Sequence, residues 1–289
     1  DGRFFREVWP NSWDPALRIE EYAGHGVSVQ VISTVPVMFC YWAKAHQALE
    51  LHRHLNDHMA QVCRAHPKHY AAIGTVPLQS PRLAIEEMQR CVEQLGLQGV
   101  QIGSHIEQWN LDAPELFDFF AAAQDLGAAI LVHPWDMMAR ERMPKYMLPW
   151  LVAMPAETQF GIMAMILGGA FDRLPRDLRI CFAHGGGGFP YLLGRLENAW
   201  HRRDVVRGDS KHPPSHYLDR FSVDSAVFDP RALRLLIDTM GANRIMVGSD
   251  APFPLGEEHI GDLVRNQPDV NPADRAAILR DNAKTFFRL

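Results

Sequence analysis

Lysine is scarce in this chain, with five among its 289 residues against 29 Lys and Arg together. None of the five follows a stretch patterned as a strand, so a lysine bridging two metal ions has no candidate, and any metal site reads as mononuclear. Cysteine is sparse too. Cys40, Cys63, Cys91 and Cys181 are scattered and form no C-x-x-C pair, which argues against a zinc-finger cluster or disulfide framework and fits reduced thiols in the cytoplasm. No apolar run approaches the roughly 20 residues of a membrane span, and no secretory leader stands at the start. Net charge is only −5 with both signs interleaved, so neither nucleic acid nor a membrane surface is an expected partner. Repeats, linkers and low-complexity tracts are absent, and residues 1–289 read as a single domain.

What the chain does contain is alternation of short apolar runs with amphipathic segments. Strands are expected at 27–35, 70–76, 99–103, 128–132, 180–183, 221–226 and 244–248, with helices at 14–23, 43–65, 81–95, 113–126, 156–171, 230–240 and 271–287 and one more after the four glycines, through Arg195. Asp14-Pro15 has the form of an N-cap followed by proline at the first helical position. Several strands are apolar at consecutive positions, as suits parallel strands covered on both faces. Seven strand–helix units with one helix before them suggest a TIM-type (β/α)8 barrel whose first strand would lie upstream of Asp1. Residues 1–13 then read as the remnant of a small insertion after that strand.

In a parallel barrel, reactive groups come from the C-terminal ends of strands. Read in order, those ends carry His105, His133-Pro-Trp-Asp136, His184 ahead of four glycines, Asp224-Ser225, and Gly248-Ser-Asp250. His133, His184 and Asp250 together have the chemistry of a divalent-metal centre, because neutral imidazole and carboxylate are ordinary zinc ligands. Each also has a plainer reading: a hydrogen-bonded turn for His133, a tight strand-to-helix turn for His184, a side-chain cap for Asp250. His105 reads as a loop residue within possible reach of substrate, and Asp136 as a residue that fixes its loop. His52, His54 and His58 lie in a helical run, where i and i+2 point apart, and a solvated face is the expected reading. Arg6 and Arg195 are the candidate anion-binding residues, since guanidinium meets carboxylate in a two-pronged geometry.

Six stretches, Trp13–Pro15, Ser33–Phe39, Gly99–Gly103, His133–Met137, Leu148–Thr158 and Phe182–Gly187, together with Gly248–Asp250 and Pro252–Glu257, resemble the amidohydrolase superfamily. More narrowly they resemble its branch of 2-amino-3-carboxymuconate-6-semialdehyde decarboxylases. The resemblance implies a metal-dependent non-oxidative decarboxylase with one Zn²⁺ held by His133, Asp250 and two further histidines upstream of residue 1. It makes His184 the acid/base, and Arg6 and Arg195 the substrate-carboxylate arginines, Arg195 reaching into the partner's site of a homodimer. Two departures stand out: the H-x-H pair of the first strand has no counterpart here, and Ala251 replaces a usual Tyr. A decarboxylase of aromatic hydroxy-acids, a mononuclear lactone or C–C hydrolase, and a metal-free non-catalytic fragment are the competing readings.

Overall fold

The computed structural model describes residues 7–289. Eight of the twelve α-helices among the described residues frame the fold: α1 (Pro15–Ala23), α2 (Ala45–Ala65), α3 (Pro81–Glu93), α4 (Phe117–Asp125), α5 (Met154–Leu167), α6 (Phe189–Arg202), α7 (Pro230–Met240) and α8 (Asn282–Phe287). Helices α2 to α7 each cross between two consecutive strands. Those strands are β1 (Gln30–Ile32), β2 (Tyr70–Ala72, continuing after Ile73 as Gly74–Thr75), β3 (Gly99–Gly103), β4 (Ala129–His133), β5 (Ile180–Phe182), β6 (Ser222–Asp224) and β7 (Ile245–Met246). All neighbours pair in parallel, and spatial order follows sequence order. The ladder passes through β2 without a break, because Ile73 N donates to Ile32 O at 3.0 Å and Gln98 N to Ala72 O at 2.8 Å. This is the wall of the expected barrel. Among the described residues no strand pairing joins β7 to β1.

Alternation along the strands sorts the apolar side chains into two layers, as a closed wall requires. Val100, Ile102, Ile130, Val132, Ile180, Phe182, Val223 and Ile245 point outward into the main core beneath the helices. Ile73, Ala129, Leu131, Cys181 and Met246 instead meet Phe286 and Phe287 of α8 in a second cluster. Arg179, just before β5, donates to the Phe286 carbonyl, so α8 sits at the N-terminal ends of the strands. The C-terminal ends are left for chemistry.

The helix signals act as the residue types dictate. Asp14 accepts from Ala16 N and Leu17 N at 2.9 and 3.1 Å, capping α1. Helix α7 buries Leu233, Leu236, Ile237 and Met240, a stripe at helical spacing. Three differences from the sequence reading have physical causes. The first strand is shorter than 27–35 because Pro36 opens a 3-10 turn, Pro36–Phe39. The helix expected to Phe171 stops at Leu167, where Gly169 takes φ +67°. A small antiparallel hairpin, His105–Ile106 with Trp109–Asn110, follows β3 and was not anticipated.

Against the expectation that no apolar run approaches a membrane span, the helical segment Pro149–Leu167 is 19 residues long and apolar enough to cross a membrane by length and composition. It packs Ile162, Met165 and Ile166 into the core while exposing Leu151, Val152 and Phe160. Of the three α2 histidines, His54 and His58 are exposed as expected. His52 is not: it is fully buried, with Nε2 3.0 Å from Met38 O, and holds the loop after β1.

Candidate metal centre

Three strand ends deliver one group each to a common point. His133 closes β4, His184 lies just beyond β5, and Asp250 follows β7. Their ligand atoms all lie within 4.8 Å of one another, the one such cluster among the described residues. The two imidazoles meet edge to face with centroids 4.9 Å apart, and His184 Nε2 is 3.9 Å from Asp250 Oδ1. Ligands around one zinc at about 2.1 Å would sit roughly 3.4 Å apart, so a modest contraction suffices to close the shell. His133 Nδ1 lies 2.9 Å from Pro134 O. Donation from Nδ1–H leaves the Nε2 lone pair aimed inward, the arrangement that orients a metal-binding imidazole. His184 Nδ1 is buried and has no hydrogen-bond partner. The His133 imidazole and the Asp250 carboxylate are a donor set that fits a small divalent cation, with His184 beside it.

The surroundings push the two histidines in opposite directions. Burial, and then the neighbouring His184 charge, drive His133 down to about 3, with Asp250 opposing. Burial also works against the charged form of His184, but its bond to Asp250 and the charges of Asp224 and Asp250 together lift it above its ordinary value.

The turn carrying His184 is held in unusual backbone. His184 itself has φ +56°, followed by Gly185 at +60°, Gly186 at +75° and Gly187 at +62°. The glycines are there for the protein's own packing. A Cβ on Gly187 would lie 2.0 Å from Pro155 O, and one on Gly185 would lie 2.4 Å from Val227 Cγ1. What requires glycine here is close approach of α5 and of the β6 loop. Asp224, at the end of β6, clamps the turn: Oδ2 accepts from His184 N at 3.0 Å, and Oδ1 from Gly185 N at 2.9 Å.

A second carboxylate braces the loop after His133. Glu157, 4% exposed, accepts from Met138 N at 2.8 Å, and its other oxygen is 3.9 Å from His105 Nε2. His105 Nε2 in turn lies 3.2 Å from Asp136 O. Burial pushes the Glu157 carboxyl up, against the pull of His105 and the Met138 N–H. His105 and Asp136 thus fix this loop. The sequence reading passed over Glu157, and named Asp224 at its strand end without giving it a role. Glu157 had a signal, being the one charged residue of Leu148–Leu167. Asp224 had a weaker one, as a carboxylate at a strand end.

Arg195 is not gathered into the cluster. It is exposed on α6 and its side chain makes no hydrogen bond or ion pair with a described residue, and Arg6 lies outside the described residues. Of the apolar side chains that follow the strands, Phe39 and Met137 are core, while Trp42 is 79% exposed.

The model of the amidohydrolase family matches residues 2–289. A 2-amino-3-carboxymuconate-6-semialdehyde decarboxylase of Dictyostelium discoideum is 47% identical over 290 residues, covering 100% of this chain and 80% of the relative. The protein of that name from Caenorhabditis elegans is 34% identical over 334 residues, covering 98% of this chain and 83% of its own. Among solved structures, a dihydroxybenzoic acid decarboxylase from Polaromonas sp. JS666, with bound manganese and the inhibitor 2-nitroresorcinol, superposes with a TM-score of 0.83. It is 26% identical and covers 96% of this chain and 86% of that one.

Proposed function

We propose that this chain, which belongs to the amidohydrolase family and is a decarboxylase, converts 2-amino-3-carboxymuconate 6-semialdehyde to 2-aminomuconate 6-semialdehyde and CO₂. The observation that carries the substrate assignment is 47% identity along the entire chain to a relative of that name, against 26% to the dihydroxybenzoic acid enzyme. The observation that carries the chemistry is the His133–His184–Asp250 cluster.

His133 and Asp250 would hold the cation, which we take to be zinc, with manganese in the Polaromonas structure as the competing identity. When bound, such an ion lowers the pKa of a coordinated water and polarises a carbonyl. His184 is the proton carrier. Its imidazole faces Asp250, which favours the protonated form, and its position just beyond the strand end suits delivery of a proton to the substrate carbon that loses CO₂. Pro134 O keeps His133 in the tautomer that offers Nε2, and the Glu157–His105 brace fixes the loop behind it. Arg6 and Arg195 would orient the carboxylates, Arg195 from the second subunit of a homodimer; its exposure on α6 supports that role. Four free cysteines support a reducing, cytoplasmic setting.

The test is CO₂ release from three substrates in parallel: aminocarboxymuconate semialdehyde, 2,6-dihydroxybenzoate and a lactone. Turnover confined to the first is the expected result, and turnover of dihydroxybenzoate alone would overturn the substrate assignment. His184→Ala should keep its metal while kcat falls by about 10²–10⁴, the usual worth of general acid–base catalysis. Wild-type turnover in that variant would remove His184 from the mechanism. Mixing Arg195→Ala with His184→Ala subunits should restore activity if Arg195 serves its neighbour's site, and no restoration would refute the crossed arrangement.

A further inference from the structure

We propose that Asp224 is the positioning residue of the decarboxylase: its carboxylate sets the His184 turn on one side and the strand leading to Asp250 on the other. The proposal rests on the reading of His184 as proton carrier. Three backbone N–H groups converge on this one side chain, His184 N on Oδ2 at 3.0 Å, and Gly185 N at 2.9 Å and Ala226 N at 3.0 Å on Oδ1. A carboxylate accepting from backbone N–H groups is a stronger anchor than a neutral acceptor. Something must hold this turn, because His184 sits at φ +56° with no Gly to relieve it. Backbone in that region persists only when its surroundings over-determine it.

The opposite side of Asp224 is just as constrained. A Cβ on Gly248 would lie 2.7 Å from Asp224 Cβ and 2.9 Å from its Cγ, so the backbone two residues before Asp250 rests directly on this side chain. The adjoining Ser225 Oγ accepts from Gly248 N at 3.3 Å. The Asp224-Ser225 pair at the end of β6 therefore bridges β5 and β7, and with them His184 and Asp250, whose separation is 3.9 Å. Asp224 is not in the metal cluster, and its hydrogen bonds reach only the backbone of its neighbours.

Asp224→Asn separates positioning from plain stability. With its amide oxygen at the Oδ1 position it keeps the Gly185 and Ala226 bonds, but its NH₂ then faces His184 N–H, donor against donor. The expected result is full metal content, unchanged KM and a kcat lower by about 10–100-fold, the range seen when groups supporting a metal-site residue are removed. Independently of activity, deuterium uptake at the His184 and Gly185 amides should rise at least about tenfold, whereas amides of β4 should not change. A merely structural role would lower the melting temperature and the folded fraction while leaving kcat per metal-loaded site and local exchange unmoved, and that outcome overturns the proposal. Wild-type protein that binds metal yet releases no CO₂ overturns the functional reading instead, and exchange at His184 then decides the positioning claim alone. Should Asp224→Asn not fold, Gly248→Ala presses a methyl onto the same carboxylate from the β7 side, and a kcat equal to wild type in that variant also overturns it.

Discussion

Gly187→Ala is the sharpest test of how the His184 turn is built. Two costs add at this position. A residue with a Cβ must adopt φ +62°, ψ −130°, a region that only glycine visits readily, at about 1–3 kcal/mol. The new methyl would also stand 2.0 Å from Pro155 O and 2.9 Å from Pro155 C, backbone atoms in the first turn of α5 that cannot swing aside. Forced overpacking of this kind costs about 1–3 kcal/mol more. The sum, about 2–6 kcal/mol, is a large share of the roughly 5–15 kcal/mol that holds a domain folded. Gly26→Ala provides the comparison, because Gly26 has φ +75° but nothing within 4 Å of a built Cβ. It should cost about 1–2 kcal/mol, the conformational part alone. Urea unfolding of the two variants, with equal m-values, reads both numbers. If Gly187→Ala costs no more than Gly26→Ala, close approach to Pro155 is not the reason for glycine there. Because the turn carries His184, kcat in Gly187→Ala should fall further than stability alone accounts for.

Metal removal with a chelator should abolish CO₂ release, and stoichiometric zinc or manganese should restore it. His133→Ala and Asp250→Asn should each lose bound metal by mass spectrometry, in contrast to His184→Ala; retained stoichiometric metal would take either residue out of the ligand set. Glu157→Ala should lose about 1–3 kcal/mol by leaving the Met138 N–H without its acceptor, whereas Glu157→Gln, which keeps an acceptor oxygen, should cost less than about 1 kcal/mol at neutral pH. The Glu157 carboxyl is raised by burial in the folded state, so its contribution to stability is present at pH below the ordinary carboxylate value and is lost as pH rises through the folded value. Glu157→Gln should therefore flatten that limb of the stability–pH curve, and an unchanged limb would refute the assignment. Phe119→Ala, at a fully buried α4 position, should cost about 3–5 kcal/mol without changing metal content.

The residues that local rules could reach were legible in the sequence. Periodicity marks α7 to the residue at Pro230–Met240, and β3 at Gly99–Gly103, because buried stripes and apolar runs repeat at distances set by the backbone itself. The strand-end rule brought His133, His184 and Asp250 together before any coordinates, since a parallel barrel gathers all its C-terminal ends at one rim. Contacts between distant segments had no such signature. Whether Arg195 faces its own site or another subunit's depends on helix orientation and assembly, which a one-dimensional motif does not encode. His52 looked like a surface histidine because the loop that buries it returns from before the helix, at Met38. The glycines after His184 were visible as a flexible turn, but their cause lies in Pro155 and Val227, residues about thirty to forty positions away. Asp224 and Glu157 were plain carboxylates in the chain. Only the tertiary structure turns them into anchors, because the N–H groups they satisfy belong to loops that folding alone brings within hydrogen-bond reach.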